Sequence, residues 1–258
     1  MGNNDLFVPE RWDKIRAVLE QKGRATVEEL AELFGVSRST IRRDLLEMHQ
    51  RNILVRTRGG AVKSQMVAFD RPVTESGTLN VELKEKIGRA AAKLISPGET
   101  VMADAGSTVY QVVRHLQAAN VTLVTNSFNS ALVAMSKPDV DVIMIGGLAR
   151  VHAGATVGPS AEDQIAMLKA DTAVLGINGI SLKDGLTTPN LLVAQVKREM
   201  INHSNRLIVV ADHTKLGVSA LCKVAPLDAV EVLVTDDQAD PETVAGIRSY
   251  GVEVILAE

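Results

Sequence analysis

A single cysteine, Cys222, leaves no possibility of an intramolecular disulfide or a cysteine metal cluster, so a reducing, cytoplasmic setting is expected. No run of about 18 uncharged apolar residues is present, so no membrane-spanning segment is expected. The first twelve residues, Met1 to Trp12, lack the basic start and apolar stretch of a secretory signal. The five histidines, His49, His115, His152, His203 and His213, have no metal-ligand spacing and read as surface or core residues. Neither a metal nor a cofactor is therefore expected. What remains is a chain of 258 residues, 46% hydrophobic and 23% charged, which suits one small and one medium soluble domain.

The net charge of -3 hides an asymmetry. Residues 1–63 hold 12 Lys and Arg against 9 Asp and Glu, whereas residues 64–258 hold 16 against 22. Within Ser37 to Lys63 the ratio is 7 to 2. A basic segment on an acidic body reads as a footprint for the phosphate backbone of nucleic acid.

The pattern within that segment is specific. Ile15, Val18 and Leu19 recur at helical spacing until Gly23. Thr26 with Glu29 has capping-box spacing, and Leu30, Leu33 and Phe34 give a second, short helix ending at Gly35. Ser37 then caps a third helix in which Ile41, Leu45 and Met48 share one face, while Arg38, Ser39, Arg42 and Arg43 lie largely off it. Ile53 to Arg58 and Ala61 to Lys63, joined through Gly59-Gly60, read as a two-stranded wing. Side chains at the start of such a third helix reach base edges in the major groove, and hydroxyls and wing residues hold phosphates. Ser37, Arg38, Ser39, Thr40, Arg42 and Arg43, with Arg56, Arg58 and Lys63 on the wing, are the expected contacts to double-stranded operator DNA. One such unit contacts too few base pairs for a unique address, so a homo-oligomer, dimer or tetramer, is expected.

Residues 64–79, with Pro72, Ser76 and Gly77, read as a linker. From residue 80 to 258, seven apolar runs alternate with helical patterns near 83–96, 108–118, 128–136, 161–169, 191–203 and 242–249. The runs are Thr100 to Ala105, Val121 to Thr125, Val140 to Ile145, Thr172 to Ile177, Leu207 to Ala211, Val230 to Thr235 and Val252 to Leu256. This is the signature of an α/β domain with a largely parallel sheet covered on both faces. In that architecture ligands sit at the carboxyl ends of the strands. Asp104 ends one run and Gly106-Ser107-Thr108 opens the next helix, which outlines a phosphate cradle at a positive helix end. Lys215 supplies the counter-charge if its strand end is a neighbour. Asn126, Ser127, Gly146, Gly147, Thr187, Thr188 and Asp212 follow strands or turns on the same edge and complete the expected effector site. Each of these motifs taken singly also suits an ordinary cap or turn. Lys197 reads as a solvated charge.

Ordered matches now accumulate. Thr26 to Phe34, Ser37 to Leu45, Arg56 to Ala61, Asp104 to Thr108, Thr125 to Ser127, Gly146-Gly147, Gly185 to Thr188 and Asp212 to Lys215 resemble, in order, the landmarks of the DeoR family of bacterial regulators. The resemblance implies a winged helix-turn-helix followed by a sensor domain similar to the sugar-phosphate isomerase and deaminase fold. It also implies repression of a carbohydrate or polyol operon, a phosphorylated sugar or sugar alcohol as effector, and adjacent strand ends at Thr108 and Lys215. Two departures stand out: Arg11-Trp12 where the family carries an Arg pair, and His213-Thr214 where it carries small hydroxyl residues, the second bearing on ligand choice. The rival is a sugar-phosphate enzyme with Asp104 or Asp212 as base. Deaminases of similar fold carry a His and a Glu in the loop comparable to residues 185–190, and neither is present here.

Overall fold

The computed structural model describes residues 8–50, 54–57, 59–63, 66–67 and 77–258. The chain divides into two compact units, Met1–Phe69 and Asp70–Glu258. The expected linker, apart from residues 66–67 and 77–79, lies outside the described residues.

In the first unit α1 (Val8–Lys22), α2 (Val27–Phe34) and α3 (Arg38–Gln50) pack with β1 (Arg24–Thr26), β2 (Leu54–Thr57) and β3 (Gly60–Lys63); β4 (Met66–Val67) follows. Sequence explains each boundary. Thr26 caps α2 through the Glu29 amide at 3.1 Å, and the Glu29 carboxylate returns the bond to the Thr26 amide at 2.7 Å, pulling the Glu29 carboxyl below its usual value. Gly35 ends α2 at φ 65°, and Ser37 accepts from the Thr40 amide at 3.1 Å to start α3. The wing strands pair antiparallel, and β1 joins them as a third strand that the sequence pattern does not disclose. Gly60 is obligatory there, because a Cβ would come within 2.1 Å of the Ala25 carbonyl oxygen.

Ile15, Leu30, Ile41, Leu45 and Met48 form the core of this unit. Beneath them sits Asp44, an acidic residue on the buried face of α3. It accepts from Arg11 Nε at 2.6 Å, from Arg11 Nη2 at 3.1 Å and from Trp12 Nε1 at 3.1 Å, which ties α1 to α3. The bond to Asp44 raises the Arg11 guanidinium further above neutrality.

The second unit contains a seven-stranded sheet in the order β17-β16-β13-β10-β5-β6-β7, with all neighbours parallel. The strands are β5 (Thr100–Ala103), β6 (Val121–Thr125), β7 (Val140–Met144), β10 (Ala170–Gly176), β13 (Ser204–Val210), β16 (Val232–Asp236) and β17 (Glu253–Ala257). They coincide with the seven apolar runs. Successive residues feed opposite cores: Leu207 and Val209 face one, Ile208 and Val210 the other. Helices α4 (Val81–Ala92), α5 (Ser107–His115), α6 (Phe128–Ala134), α7 (Pro159–Ala166), α8 (Leu191–Asn202) and α9 (Pro241–Arg248) fall at the six expected places. A hairpin of β8 (Leu148–Arg150) and β9 (Ala155–Val157), and an antiparallel sheet of β11 (Gly179–Ser181), β12 (Gly185–Thr188) and β15 (Cys222–Ala225), emerge only in the structure; β14 (Ser219–Ala220) precedes β15. Among the described residues no helix is long and apolar enough to cross a membrane.

Arg11→Ala should remove about 3 to 5 kcal/mol from the first unit, because it strands a buried carboxylate. Urea unfolding of the full chain, followed by the fluorescence of Trp12, the sole tryptophan, measures it. In Arg11→Ala/Asp44→Ala part of the loss should return; a double variant no more stable than Arg11→Ala would show that the charge was not the cause.

Candidate functional site

The first candidate surface is the outer face of α3. Ser37, Arg38, Ser39, Arg42 and Arg43 are exposed and Thr40 is half-buried, opposite a face that buries Ile41, Asp44, Leu45 and Met48. The Ser37 hydroxyl lies 2.7 Å from that of Ser39 and 2.8 Å from that of Thr40, which gathers three hydroxyls at the helix start. Arg38 reaches Glu28 at 3.6 Å, an exposed pair too weak to hold it. Arg56 is exposed on β2, where its amide meets His49 Nδ1 at 3.4 Å. Arg58 lies outside the described residues, as does the side chain of Lys63.

The second is a cavity of about 620 Å³ beside the carboxyl ends of β5 and β6. Lys84 enters it from the first turn of α4, Gly106 and Ser107 from the start of α5, Ser127 and Leu132 from the start and body of α6. Gly106 gives α5 no capping side chain, a Cβ there would meet nothing closer than Val109 at 3.9 Å, and Gly106 and Ser107 both line the cavity. Helices α4 and α5 pack closely at Gly88, one turn beyond Lys84, where a Cβ would sit 2.5 Å from that of Gln111. Lys84 is 5% exposed and donates to the Leu79 carbonyl at 2.8 Å. Burial depresses its ammonium, Asp212 raises it and Lys215 depresses it again. Sequence reasoning passed over this residue, although Lys84, Ile87 and Ala91 share the inward stripe of α4.

Several expected site residues serve the scaffold. Asp104 is buried against Lys197, whose ammonium also donates to the Gly176 carbonyl at 2.8 Å. The expectation of a solvated Lys197 is thus corrected: at 3% exposed it lies on the inner stripe of α8 with Ala194 and Met200. Adjacent strand ends at Thr108 and Lys215 are corrected too, because β10 lies between β5 and β13. Thr187 and Thr188 stand in β12 rather than in a loop. Their hydroxyls donate to the Gly179 carbonyl at 3.1 Å and to Asn178 Oδ1 at 2.8 Å. Gly146 donates its amide to Gln164 at 3.0 Å, and Gly147 needs its φ of 135° and its bare Cα against the Val157 carbonyl. Thr108 is buried, Ser127 caps α6 through the Ser130 amide at 3.3 Å, and Asn126 donates to the Thr156 carbonyl at 3.0 Å. The buried Asn126 Oδ1 has no hydrogen-bond partner among the described residues.

Asp212 lies beyond the end of β13 and accepts from the Thr214 amide at 3.1 Å and the Thr214 hydroxyl. Burial pushes its carboxyl up; Lys215, Thr214 and Lys84 together outweigh that and hold it below the usual value. His213 donates its amide to the buried Asp236 at 2.8 Å, and its ring Nδ1 lies 2.8 Å from the same carboxylate. Among the described residues no cluster of ligands suits a metal. A smaller cavity of about 390 Å³ at the start of β13, lined by Ser204, Arg206 and Glu231, lies at the opposite edge of the sheet.

The two units match two family models: a DeoR-like helix-turn-helix domain over residues 11–66, and a DeoR C terminal sensor domain over residues 79–237. The chain belongs to the DeoR family. It is a DNA-binding transcriptional regulator and not an enzyme. Across 98% of both chains it is 34% identical to the HTH-type transcriptional repressor GlcR of Bacillus subtilis. The glycerol-3-phosphate regulon repressor of Escherichia coli is 33% identical over 88% of this chain and 90% of its own. Ribose 5-phosphate isomerase A from Methanocaldococcus jannaschii superposes on 55% of each chain with a TM-score of 0.38 and 18% identity, too distant to argue from. Within the family both departures have structural explanations: Trp12 bonds Asp44, and the His213-Thr214 pair serves Asp236 and Asp212.

Because the Asp212 carboxyl is depressed in the folded chain, its stabilisation is present above its unfolded value of 3.8 and is lost as pH falls through the folded value. Asp212→Asn should therefore lose less stability than wild type as pH is lowered from about 4. Urea midpoints along that descent test this, and parallel curves would mean that Asp212 titrates alike in both states.

Proposed function

We propose that this regulator represses a carbohydrate or polyol utilisation operon and releases or tightens on its operator when a phosphorylated sugar or sugar alcohol occupies the sensor cavity. The observation that carries the reading is one cavity lined both by a buried lysine and by a helix start that has no capping side chain. A phosphate dianion needs that combination, since the sensor unit is acidic overall and must attract an anion locally. We place the phosphate against Gly106, Ser107 and Thr108 with Lys84 as its cation, and give Lys215 the task of holding Asp212. Ser127, which lines the same cavity, is given the sugar end, with the buried Asn126 behind it. The names of the relatives, a GlcR repressor and a glycerol-3-phosphate regulon repressor, support small phosphorylated ligands. Operator contacts are assigned to Ser37, Arg38, Ser39, Thr40, Arg42 and Arg43 in the major groove. Arg56, Arg58 and Lys63 are assigned to phosphates, with two or more chains on each operator.

A thermal-shift screen of phosphorylated sugars and polyols against their unphosphorylated parents tests the ligand class, since a ligand at 100 times its Kd adds about 2.7 kcal/mol. Lys84→Met should weaken the phosphorylated hit about tenfold or more, a lost charged hydrogen bond being worth about 1.5 to 3 kcal/mol. Stabilisation by the parent sugar alone would remove phosphate from the reading. On DNA selected by the wild type from a random pool, Arg42→Ala should lose about 1 to 3 kcal/mol of sequence-specific affinity. Unchanged binding in a gel shift would take α3 out of the recognition role.

A further inference from the structure

We infer that the apolar face made by α6 and the last residues of the edge strand β7 is where a second copy of this chain docks. Helix α6 turns Ser130, Ala131 and Ala134 inward and leaves Phe128, Leu132 and Met135 exposed at positions i, i+4 and i+7. Leu132 and Met135 are 68% and 70% exposed, far more than burial against their own unit would leave. Beside them β7 ends the sheet, and its consecutive residues Ile143 and Met144, which point to opposite sides, are both exposed. Leu148, 64% exposed, continues the apolar surface. Edge strands that must stay single carry lysine, proline or a bulge. Val140–Met144 contains no lysine or proline; its one charge, Asp141, lies near its start, and the exposed Ile143 and Met144 end the strand without one.

Charge selects the occupant. Residues 121–136 and 142–149 contain no Asp, Glu, Lys or Arg, whereas residues 64–258 as a whole are acidic. Two copies of an acidic body repel each other least where neither brings charge, and a two-fold contact must be complementary to itself. An apolar face meets that requirement and an acidic one does not. Lys137, Asp139, Asp141 and Arg150 flank it, the polar rim typical of protein interfaces. Leu132 also walls the effector cavity, so a docked copy would stand next to the ligand. The proposal rests on the reading of the chain as an operator-binding protein that works in pairs.

The experiment is sedimentation of the full chain at micromolar concentration, with melting curves to show that each variant is folded. Wild type should sediment as a dimer or a multiple of one. Leu132→Glu/Met135→Glu should raise the dimer dissociation constant about tenfold or more, because each copy then meets its own charge. Leu132→Ser/Met135→Ser, which adds no charge, should move it less in the same direction, and Met167→Glu, on another exposed site, should not move it. A dimeric wild type unaffected by either double variant overturns this face while leaving the operator reading intact. A wild type monomeric both free and on DNA overturns both. Unchanged mass with altered operator affinity in the double variants would assign the face to the chain's own DNA-binding unit, and would also overturn the proposal.

Discussion

A carboxylate removed from water must be given a cation or several hydrogen-bond donors, since its desolvation amounts to several kcal/mol. Four such groups decide where elements of this chain meet. Asp44 joins α1 to α3, and Asp104 draws the α8 lysine across the end of β10. Asp236 holds the turn after β13, and Asp212 caps that same turn from its first residue. Three of the four lie at the carboxyl edge of the sheet. Loops there converge from many strands, so cations can reach a buried acid without passing through the core. The hydrophobic cores supply bulk stability; these pairs allow only one arrangement of the parts.

The carboxyl edge is also where helices begin, and in a parallel sheet all their starts fall on one side. This geometry sets the amides of α5 and the lysine of α4 against one cavity without any special loop. Gly88 fixes their spacing by allowing backbone to approach side chain directly. The cavity is a by-product of the winding of the sheet, shaped by single residues in its wall.

Much of this was legible in advance, for physical reasons. All seven sheet strands and six helices of the second unit lay where continuous apolar runs and helical stripes put them, because burial on both faces leaves an unmistakable pattern. The caps at Thr26 and Ser37 were equally clear, since a cap is a local interaction between residues three apart. Short antiparallel elements were not: β1 has three residues, and β12 pairs with the equally short β11 on one side and with the distant β15 on the other, so Thr187 and Thr188 looked like loop residues. Lys84 and Lys197 went unrecognised because charge suggests solvent, even though both occupy positions on apolar stripes. The strand order, which separates Lys215 from Thr108, depends on long-range pairing that no local pattern encodes.

The division of α3 into two faces has a further consequence. Its inner side carries Ile41, Asp44, Leu45 and Met48 and answers to the fold, while its outer side carries side chains whose removal leaves packing nearly untouched. On the operator contacts proposed above, stability and address are written on separate faces of one helix. Arg38, Ser39, Arg42 and Arg43 are then four positions that an engineer wishing to retarget the protein can randomise without first repairing the scaffold.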